Sequence, residues 1–381
     1  MKMKIIILTI IALLTINGCG GGATTDNSNS SDTTPTTQTT ANDNTQSTPT
    51  PPSTTKHVVD DTPSSTVTPS TTVPTTKKSY DLSQINGSLS AIKYSGKGIT
   101  IGVMDGGFDL ANSEFDGIDI INSDYENLVY ASSTQKKHGN SMLQTIGANQ
   151  SGLVKGITEG ASFVLGNYND SNDRANEYSR MSMYGATVIN NSWGPTSGYR
   201  NFIGDDVNSK IQSLSSKIVF VHSLGNNNTN LEENPHNLDK SCVGKRYIIP
   251  NSDGTCGTID DDIILVGALN QDGTKQPFSN YGSSADVFVQ DTAYVNLNGT
   301  VTTSNGTSSA TAIVSSVVAM AQEANPSISP AKLMNLICST ATHIGSDPYD
   351  IVDVNGNMRS KTFGCGKLNV DAFISAVESE I

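Results

Sequence analysis

The sequence predicts an α/β fold in which a parallel β-sheet is flanked by helices on both faces, giving three layers. One observation is a set of short apolar segments, rich in β-branched residues, at residues 99–104, 162–165, 187–189, 218–222, 263–266 and 287–289. The other is a set of segments with helical spacing, at residues 138–147, 172–183, 205–215, 311–324 and 330–340. Continuous apolar strands that alternate with helices are typical of parallel sheets covered on both sides.

The N-terminus predicts export and a lipid anchor. A basic start precedes about a dozen apolar residues, too few to span a bilayer, and this pattern predicts a signal peptide over residues 1–18. The following segment, Ile16-Asn17-Gly18-Cys19, resembles a bacterial lipobox. That resemblance implies cleavage before Cys19 and attachment of lipid to its thiol and its new amine. Ordinary secretion, with an incidental cysteine, is the alternative.

Residues 19–78 predict a disordered tether, because Thr, Ser, Pro, Asn and Asp dominate and almost no apolar residue is available for burial. The tether would hold a folded domain, residues 79–381, away from a membrane surface. We therefore expect the protein in the cell envelope, anchored outside the cytoplasm and facing the periplasm or the cell surface.

The folded domain is long enough for one large core, and we expect it to be a monomer. The net charge of −13 and the absence of any Lys/Arg cluster argue against nucleic acid as a partner. Four cysteines in an exported domain suggest two disulfides, most simply between sequence neighbours, although the connectivity stays open. No CxxC spacing occurs among them, which argues against a zinc site; they are Cys242, Cys256, Cys338 and Cys365.

Polar residues at strand ends are the candidate site residues, because active sites in such sheets gather at the carboxyl ends of the strands. Asp105 follows the first apolar segment and precedes two glycines, where a carboxylate can accept several N–H groups. His138 opens a helical segment and can turn its ring into a cleft. Taken alone, each has a simpler interpretation: a turn aspartate without a partner, and a capping or surface histidine.

Two further candidates follow the same rule. Asn226 follows Gly225 shortly after the strand 218–222. Its side-chain amide could donate to a developing oxyanion, or the residue could simply occupy a left-handed turn. Within that strand, His222 is predicted to be a packed core residue. Ser308 follows a glycine turn and begins an apolar helix, close to free N–H groups and the positive end of the helix dipole. By itself this serine could equally be a helix cap.

The segment Ser192-Trp193-Gly194 follows another apolar strand and could present an extended edge to a peptide by β-augmentation. Trp193, the single tryptophan, could form the wall of a side-chain pocket or could cover the core. The sequence does not favour one interpretation over the other.

Together, these segments resemble the subtilisin-like serine proteases (subtilases, peptidase family S8). Asp105-Gly106-Gly107 is similar to the family's aspartate motif, and the segments around His138, Asn226 and Ser308 are similar to its histidine, oxyanion-hole and nucleophile motifs, in the same order along the chain. The segment from 190 to 194 resembles its substrate-binding strand. The resemblance runs from about residue 96 to about residue 368.

This resemblance implies a serine endopeptidase with an acyl-enzyme intermediate and a polypeptide substrate. Ser308 would attack the scissile carbonyl, His138 would move the proton, and Asp105 would orient and stabilise the imidazolium. Asn226 and the Ser308 N–H would hold the oxyanion. No cofactor is required. Calcium commonly braces loops in this family, but the acidic residues here lack ordered spacing, so no metal ligand is assigned.

The chain also departs from the family motifs. Gly106 lacks the usual hydroxyl after the aspartate, Asn140 replaces a threonine, and Gln144 lies where a small residue is usual. Ala312 replaces a proline, and Ser316 a glycine. The rival function is therefore a catalytically weak or inactive surface lipoprotein of the same fold that binds peptides or a partner. An esterase is disfavoured, because no Gly-x-Ser-x-Gly motif surrounds Ser308.

Overall fold

The structure is a computed structural model that describes residues 77–88, 93–123, 131–148, 152–168, 174–193, 205–231, 248–250, 256–258, 263–353 and 355–381. The predicted signal peptide, Cys19 and the tether up to residue 76 lie outside the described residues. Within those described ranges, no helix is both long enough and apolar enough to cross a membrane.

The described domain is built on a seven-stranded parallel sheet, which confirms the predicted α/β class. In chain order the strands are β1 (Lys78–Ser79), β2 (Thr100–Asp105), β3 (Asp119–Ser123), β4 (Val154–Lys155), β5 (Ser162–Asn167), β6 (Val188–Asn191), β7 (Val219–Ser223), β8 (Ile248–Pro250), β9 (Cys256–Thr258), β10 (Ile263–Leu269), β11 (Val287–Gln290), β12 (Ala293–Leu297), β13 (Thr300–Ser304), β14 (Tyr349–Val352) and β15 (Met358–Ser360). The helices are α1 (Ser133–Gly147), α2 (Arg174–Met183), α3 (Asp205–Leu214), α4 (Thr307–Ala324), α5 (Pro330–Ser339) and α6 (Val370–Glu378). Short 3₁₀ helices lie at Leu82–Ile85 and Ser113–Phe115.

The order of strands in the sheet creates a crevice next to β2. Neighbouring strands follow the order β11-β10-β7-β6-β2-β5-β3. The chain passes from β5 on one side of β2 to β6 on its other side, so the direction in which the sheet grows reverses there. At such a reversal a crevice opens outside the carboxyl ends of the strands. Asp105, the last residue of β2, lies at this point.

Helices cover both faces of the sheet, each over its own apolar cluster. Ile101 and Val103 of β2 belong to one cluster, together with residues of α1, α4, α5 and α6. Met104 belongs to the other, with residues of α2 and α3. Because side chains alternate along a strand, Asp105 shares its face with Ile101 and Val103. The strand pattern therefore presents Asp105 to α1, the helix that carries His138.

The six predicted apolar strands are present, and two helices begin earlier than their apolar spacing predicts. Helix α1 begins at Ser133, so His138 lies in its second turn and does not open the helix. Its polar first turn shows no apolar spacing, but Ser132 and Gln135 form a capping box that fixes the start. Helix α4 begins at Thr307, which places Ser308 in the first turn as predicted. The pattern predicts neither the edge strand β3 nor α6.

One of the two suggested disulfides is described. Cys338 at the end of α5 is bonded to Cys365, with their Cα atoms 5.3 Å apart. Cys242 lies outside the described residues, and so does the side chain of Cys256, although its backbone forms part of β9. The pairing of those two remains a prediction.

The C-terminal hairpin β14–β15 is held to the sheet by a buried arginine. The side chain of Arg359 is 3 % exposed, and its guanidinium lies 3.0 Å from the carboxylates of both Asp286 and Asp353. It also donates to the carbonyl oxygens of Ser283 and Ala285 at 3.1 and 3.0 Å. Since Asp286 directly precedes β11, this network joins the hairpin to the edge of the sheet.

His222 in β7 is a buried core residue. Its Nδ1 donates to the carbonyl of Ser223 at 3.1 Å, and its ring packs edge-on against Trp193 with centroids 5.3 Å apart. Its Nε2 has no hydrogen-bond partner among the described residues. Burial lowers the pKa of His222 from its ordinary value to about 4, although the bond to Ser223 opposes the shift. The ring is therefore neutral at neutral pH.

We expect His222 to make the folded domain sensitive to acid. Below about pH 6.5 the unfolded chain binds a proton on this imidazole, whereas the folded chain does so only near pH 4. The free energy of unfolding should therefore fall by up to about 3 kcal/mol across that interval, and this part of the loss should vanish in His222→Gln. Urea unfolding, followed by Trp193 fluorescence at about pH 7 and about pH 4.5, measures both losses. Equal losses in the two proteins would contradict the prediction.

Candidate active site

The end of β2 and the second turn of α1 bring Asp105 and His138 together. The Nδ1 of His138 lies 2.9 Å from one oxygen of Asp105 and 3.0 Å from the other. Asp105 is fully buried, and the N–H of Gly106 donates to it at 2.7 Å. The side chain of His138 is 23 % exposed. The pair is therefore anchored on the carboxylate side, and the imidazole is partly exposed although its Nε2 is buried.

The electrostatics of this pair favour a charged imidazole. Burial alone lowers the pKa of His138, but the charge of Asp105 and its hydrogen bond outweigh burial and raise the pKa above its ordinary value. With Nδ1 directed to Asp105, the proton on that nitrogen is fixed and Nε2 becomes the acceptor. Among the described residues, Nε2 has no hydrogen-bond partner. The arrangement is that of a general base whose acceptor nitrogen is free.

Close backbone packing places α1 against the loop after β2. A Cβ on Gly139 would lie 2.1 Å from the carbonyl oxygen of Gly107, so only glycine allows this approach. Asn140 accepts the N–H of Asp109 at 2.8 Å through its Oδ1. This contact gives Asn140, one of the departures from the family motif, a positioning role: it ties the helix that carries His138 to the loop that follows Asp105.

Ser308 is the second residue of α4, and the turn before it requires glycine. Gly306 has φ 126°, a conformation that L side chains rarely adopt. Ser308 is 4 % exposed, and its Oγ donates to the carbonyl of Ser192 at 2.7 Å. In return, Ser192 Oγ donates to the carbonyl of Ser308 at 2.8 Å. In this conformation the Ser308 hydroxyl is thus bonded to Ser192 and not to His138.

The side chain of Asn226, at the end of the segment after β7, has a defined orientation. Its Oδ1 accepts the N–H of Thr307 at 3.1 Å and the hydroxyl of Thr307 at 2.8 Å. Because this atom accepts two hydrogen bonds, it is the amide oxygen, and the other terminal atom of the side chain is the NH2 nitrogen. Asn226 is partly exposed. No acceptor for its NH2 group occurs in the described part of the chain, so this group is available as a donor beside the N-terminus of α4.

The predicted substrate-binding segment lies partly beneath the nucleophile. Ser192 is fully buried. Trp193 is 2 % exposed and packs on the rings of Tyr168 and His222, with centroids 5.2 and 5.3 Å away, so it covers core. Gly194 lies outside the described residues.

Two polar residues under Ser308 received no individual role from the sequence, although Asn190 begins the segment that resembles the substrate-binding strand. Asn190 and Ser315 are fully buried. The Nδ2 of Asn190 donates to Ser192 Oγ at 3.0 Å, and Ser315 donates to Asn190 Oδ1 at 3.1 Å. The available signals were the position of Asn190 near the end of β6 and the spacing of Ser315, two helical turns after Ser308 on the same face. This network supports the backbone on which Ser308 sits.

No cluster of three or more His, Cys, Asp or Glu side chains suited to a metal occurs among the described residues. The acidic residue Glu114 is fully buried. It accepts the N–H groups of Leu153 and Val154 at 2.7 and 3.2 Å and the amide of Asn296 at 2.6 Å. These hydrogen bonds join the 3₁₀ helix at Ser113–Phe115 to the start of β4 and to β12.

Comparison of the sequence with known protein families agrees with the fold and with the geometry of the site. Residues 96–366 match the model of the subtilase family, peptidase S8, which is more than half of the chain. The chain therefore belongs to the subtilase family, and its membership supports a serine protease activity.

Two curated relatives carry names that fit this family. The chain is 26 % identical to alkaline serine exoprotease A of Vibrio alginolyticus over 65 % of this chain and 43 % of that protein. It is 27 % identical to subtilisin amylosacchariticus of Bacillus subtilis subsp. amylosacchariticus over 77 % of this chain and 70 % of that protein. The chain thus spans less than half of the length of the first relative.

Solved structures support the fold alone, because their identities are low. The prenylagaramide maturation protease PagA matches with a TM-score of 0.56 at 20 % identity, covering 77 % of this chain and 97 % of its own. A chain of the subtilase cytotoxin SubAB assembly matches with a TM-score of 0.56 at 15 % identity, covering 78 % of this chain and 96 % of its own.

Proposed function

We propose that this protein is a serine endopeptidase whose catalytic residues are Ser308, His138 and Asp105, with Asn226 as an oxyanion donor. The observation that carries the proposal is the contact of His138 Nδ1 with both oxygens of a fully buried Asp105, at 2.9 and 3.0 Å, while Nε2 has no partner among the described residues. Such a pair is poised to accept a proton from a hydroxyl.

The reaction begins when the Ser308 hydroxyl leaves the Ser192 carbonyl and turns toward His138. As Oγ attacks the scissile carbonyl, its proton passes to His138 Nε2, and the new imidazolium is stabilised by Asp105. The oxyanion is held by the N–H of Ser308 and the NH2 of Asn226. The proton then passes to the leaving amine, the C–N bond breaks, and an acyl-enzyme remains. Water then attacks this ester and gives its proton to His138, which passes it to Ser308 Oγ as the acyl group leaves.

We further propose that a lipid on Cys19 and the tether over residues 19–78 hold this monomeric domain outside the cytoplasm, in the cell envelope. The lipobox-like sequence and the composition of the tether support this proposal. The chemistry needs no cofactor, although calcium could brace the surface loops. In cells fed a labelled fatty acid, the wild-type protein should carry the label and fractionate with membranes. Cys19→Ser should lose both properties; an unlabelled wild type would contradict the anchor.

A fluorophosphonate probe tests the catalytic proposal, because it forms a stable bond only with an activated serine. The full-length protein should be labelled, and Ser308→Ala should not. Ser309→Ala is the matched control, since it removes the neighbouring hydroxyl in the same helix turn and should retain labelling. Absence of labelling in folded, oxidised wild-type protein would favour the alternative, a catalytically weak or inactive lipoprotein that binds peptides or a partner.

The acid limb of the activity should lie above the pH expected for an ordinary histidine. His138 must be neutral to act as a base, and the charge of Asp105 raises its pKa, so kcat/KM should reach half of its plateau above about pH 6.5. The pH profile on a soluble peptide measures this. In Asp105→Asn the residual activity should show its midpoint at lower pH, because burial remains while the charge is gone. A wild-type midpoint well below pH 6.5, on the order of one unit, would contradict this assignment.

A further inference from the structure

The turn before Ser308 is held by side chains that follow two different strands. The N–H of Gly306 donates to Asp291 Oδ2 at 2.6 Å, and the N–H of Thr307 donates to Asn226 Oδ1 at 3.1 Å. The third N–H in this run, that of Ser308, has no acceptor in the part of the chain that the structure describes. Two of three successive amides are thus fixed by carboxylate and amide oxygens, and the third is left for a ligand.

Asp291 immediately follows β11 and is fully buried. Its Oδ1 accepts the side-chain amides of Gln276 and Asn305 at 2.9 and 3.4 Å. Within the described ranges no Lys or Arg is paired with it; the titratable group that faces it is Tyr80. Burial raises the pKa of Asp291, although these hydrogen bonds oppose the shift. A buried carboxylate without a cation is unfavourable for folding, so an ion pair does not explain its presence.

We propose that Asp291 is a positioning residue for the reaction at Ser308. By holding the N–H of Gly306, it fixes the peptide planes of the turn so that the Ser308 N–H and the Asn226 NH2 can meet one oxyanion. The inference rests on the proposed function and deepens it: Asp291 acts through the backbone and does not itself touch the substrate. Sequence reasoning overlooked it, although it follows a strand as Asp105 ends one.

The test compares Asp291→Asn with Asp291→Ala in the full chain. Asparagine keeps the volume and one acceptor oxygen but removes the charge, whereas alanine removes both acceptors. The matched control is Glu323→Gln, the same chemical change at a carboxylate near the other end of α4. Glu323 accepts the N–H groups of Ser95, Gly96 and Lys97 at 2.7, 2.7 and 3.0 Å and lies away from Ser308.

We expect Asp291→Asn to lower kcat and the fluorophosphonate labelling rate by about ten- to a hundredfold, with KM changed by less than about twofold, and Asp291→Ala to lower them further. Hydrogen exchange of the peptide that contains Gly306 should become on the order of tenfold faster in both variants. In Glu323→Gln, kcat and this exchange should match wild type. If Asp291 only stabilised the fold, its variants would have a lower Tm but would not show a reduced kcat with a nearly unchanged KM.

The outcomes separate the two proposals. An active wild type with an Asp291→Asn variant of equal kcat overturns the positioning role and leaves the proposed function intact. An unlabelled, inactive wild type overturns the proposed function. Hydrogen exchange then still shows whether Asp291 holds the N–H of Gly306. Unchanged exchange at Gly306 in both variants overturns the positioning role whatever the activity.

Discussion

Replacing His138 by alanine is expected to lower kcat on a peptide substrate by about a million-fold, the largest effect of any single change in this chain. In the proposed mechanism the imidazole takes the proton from Ser308, and the variant loses both this base and its 2.9 Å contact with Asp105. Residual turnover should come from the oxyanion donors and from binding. Steady-state kinetics with a fluorogenic peptide, at a pH on the plateau of the wild-type pH profile, measure the loss.

Two further variants show whether His138 and Ser308 act as one unit. The double variant His138→Ala/Ser308→Ala should be no slower than either single variant, because groups that work together are not additive. His222→Gln is the matched control: it also removes an imidazole near the site but should keep most of the activity at this pH. A His138→Ala protein within about a hundredfold of wild type would remove His138 from the proposed mechanism.

Replacing Arg359 by methionine is expected to have the largest effect on stability, a loss of about 3–5 kcal/mol in the free energy of unfolding. Methionine fills much of the same space but leaves Asp286 and Asp353 buried without the cation that lies 3.0 Å from each. The carbonyl oxygens of Ser283 and Ala285 lose their donors as well. Urea unfolding of Ser308→Ala protein, which cannot digest itself if the proposed function holds, avoids loss of material during the measurement.

The control for this prediction is an ion pair of the same charges at the surface. Lys332 and Glu380 lie 2.8 Å apart, and the side chain of each is 40 % exposed. Lys332→Met should leave the unfolding midpoint nearly unchanged, because water screens and solvates both charges. Adding Asp286→Asn and Asp353→Asn to Arg359→Met should restore part of the lost stability, since the uncompensated charges are removed. If Arg359→Met and Lys332→Met proved equally stable, the buried network would not hold the hairpin.

The sequence by itself determined the fold class and the order of the site segments. Continuous apolar runs such as residues 263–266 are buried on both faces in β10, so their pattern was sufficient to predict a parallel sheet. The strand-end rule selected Asp105, and the glycine turn selected Ser308 in the first turn of its helix. These features are local, and a local pattern is visible without knowledge of the partners.

The sequence was less informative where polar residues define an element. The start of α1 is set by a capping box at Ser132 and not by apolar spacing, so His138 lies in the second turn. The edge strand β3 carries too few apolar residues for a strand pattern, because among the described strands it pairs only with β5 and solvent lies close. Trp193 could not be assigned to a pocket or to the core until its packing on Tyr168 and His222 was visible.

Only the tertiary structure decided which polar groups meet. Asp105 and His138 are 33 residues apart, and Asp291 contacts Gly306 across 15 residues. The bond between Ser192 and Ser308 spans 116 residues. Each contact depends on the order of strands in the sheet and on the close approach of backbones, as at Gly139 and Gly107. Periodicity and composition show which face of a segment is buried. A hydrogen bond, however, needs its two atoms placed within a few tenths of an ångström. Only the folded arrangement of the whole sheet fixes the two positions so closely.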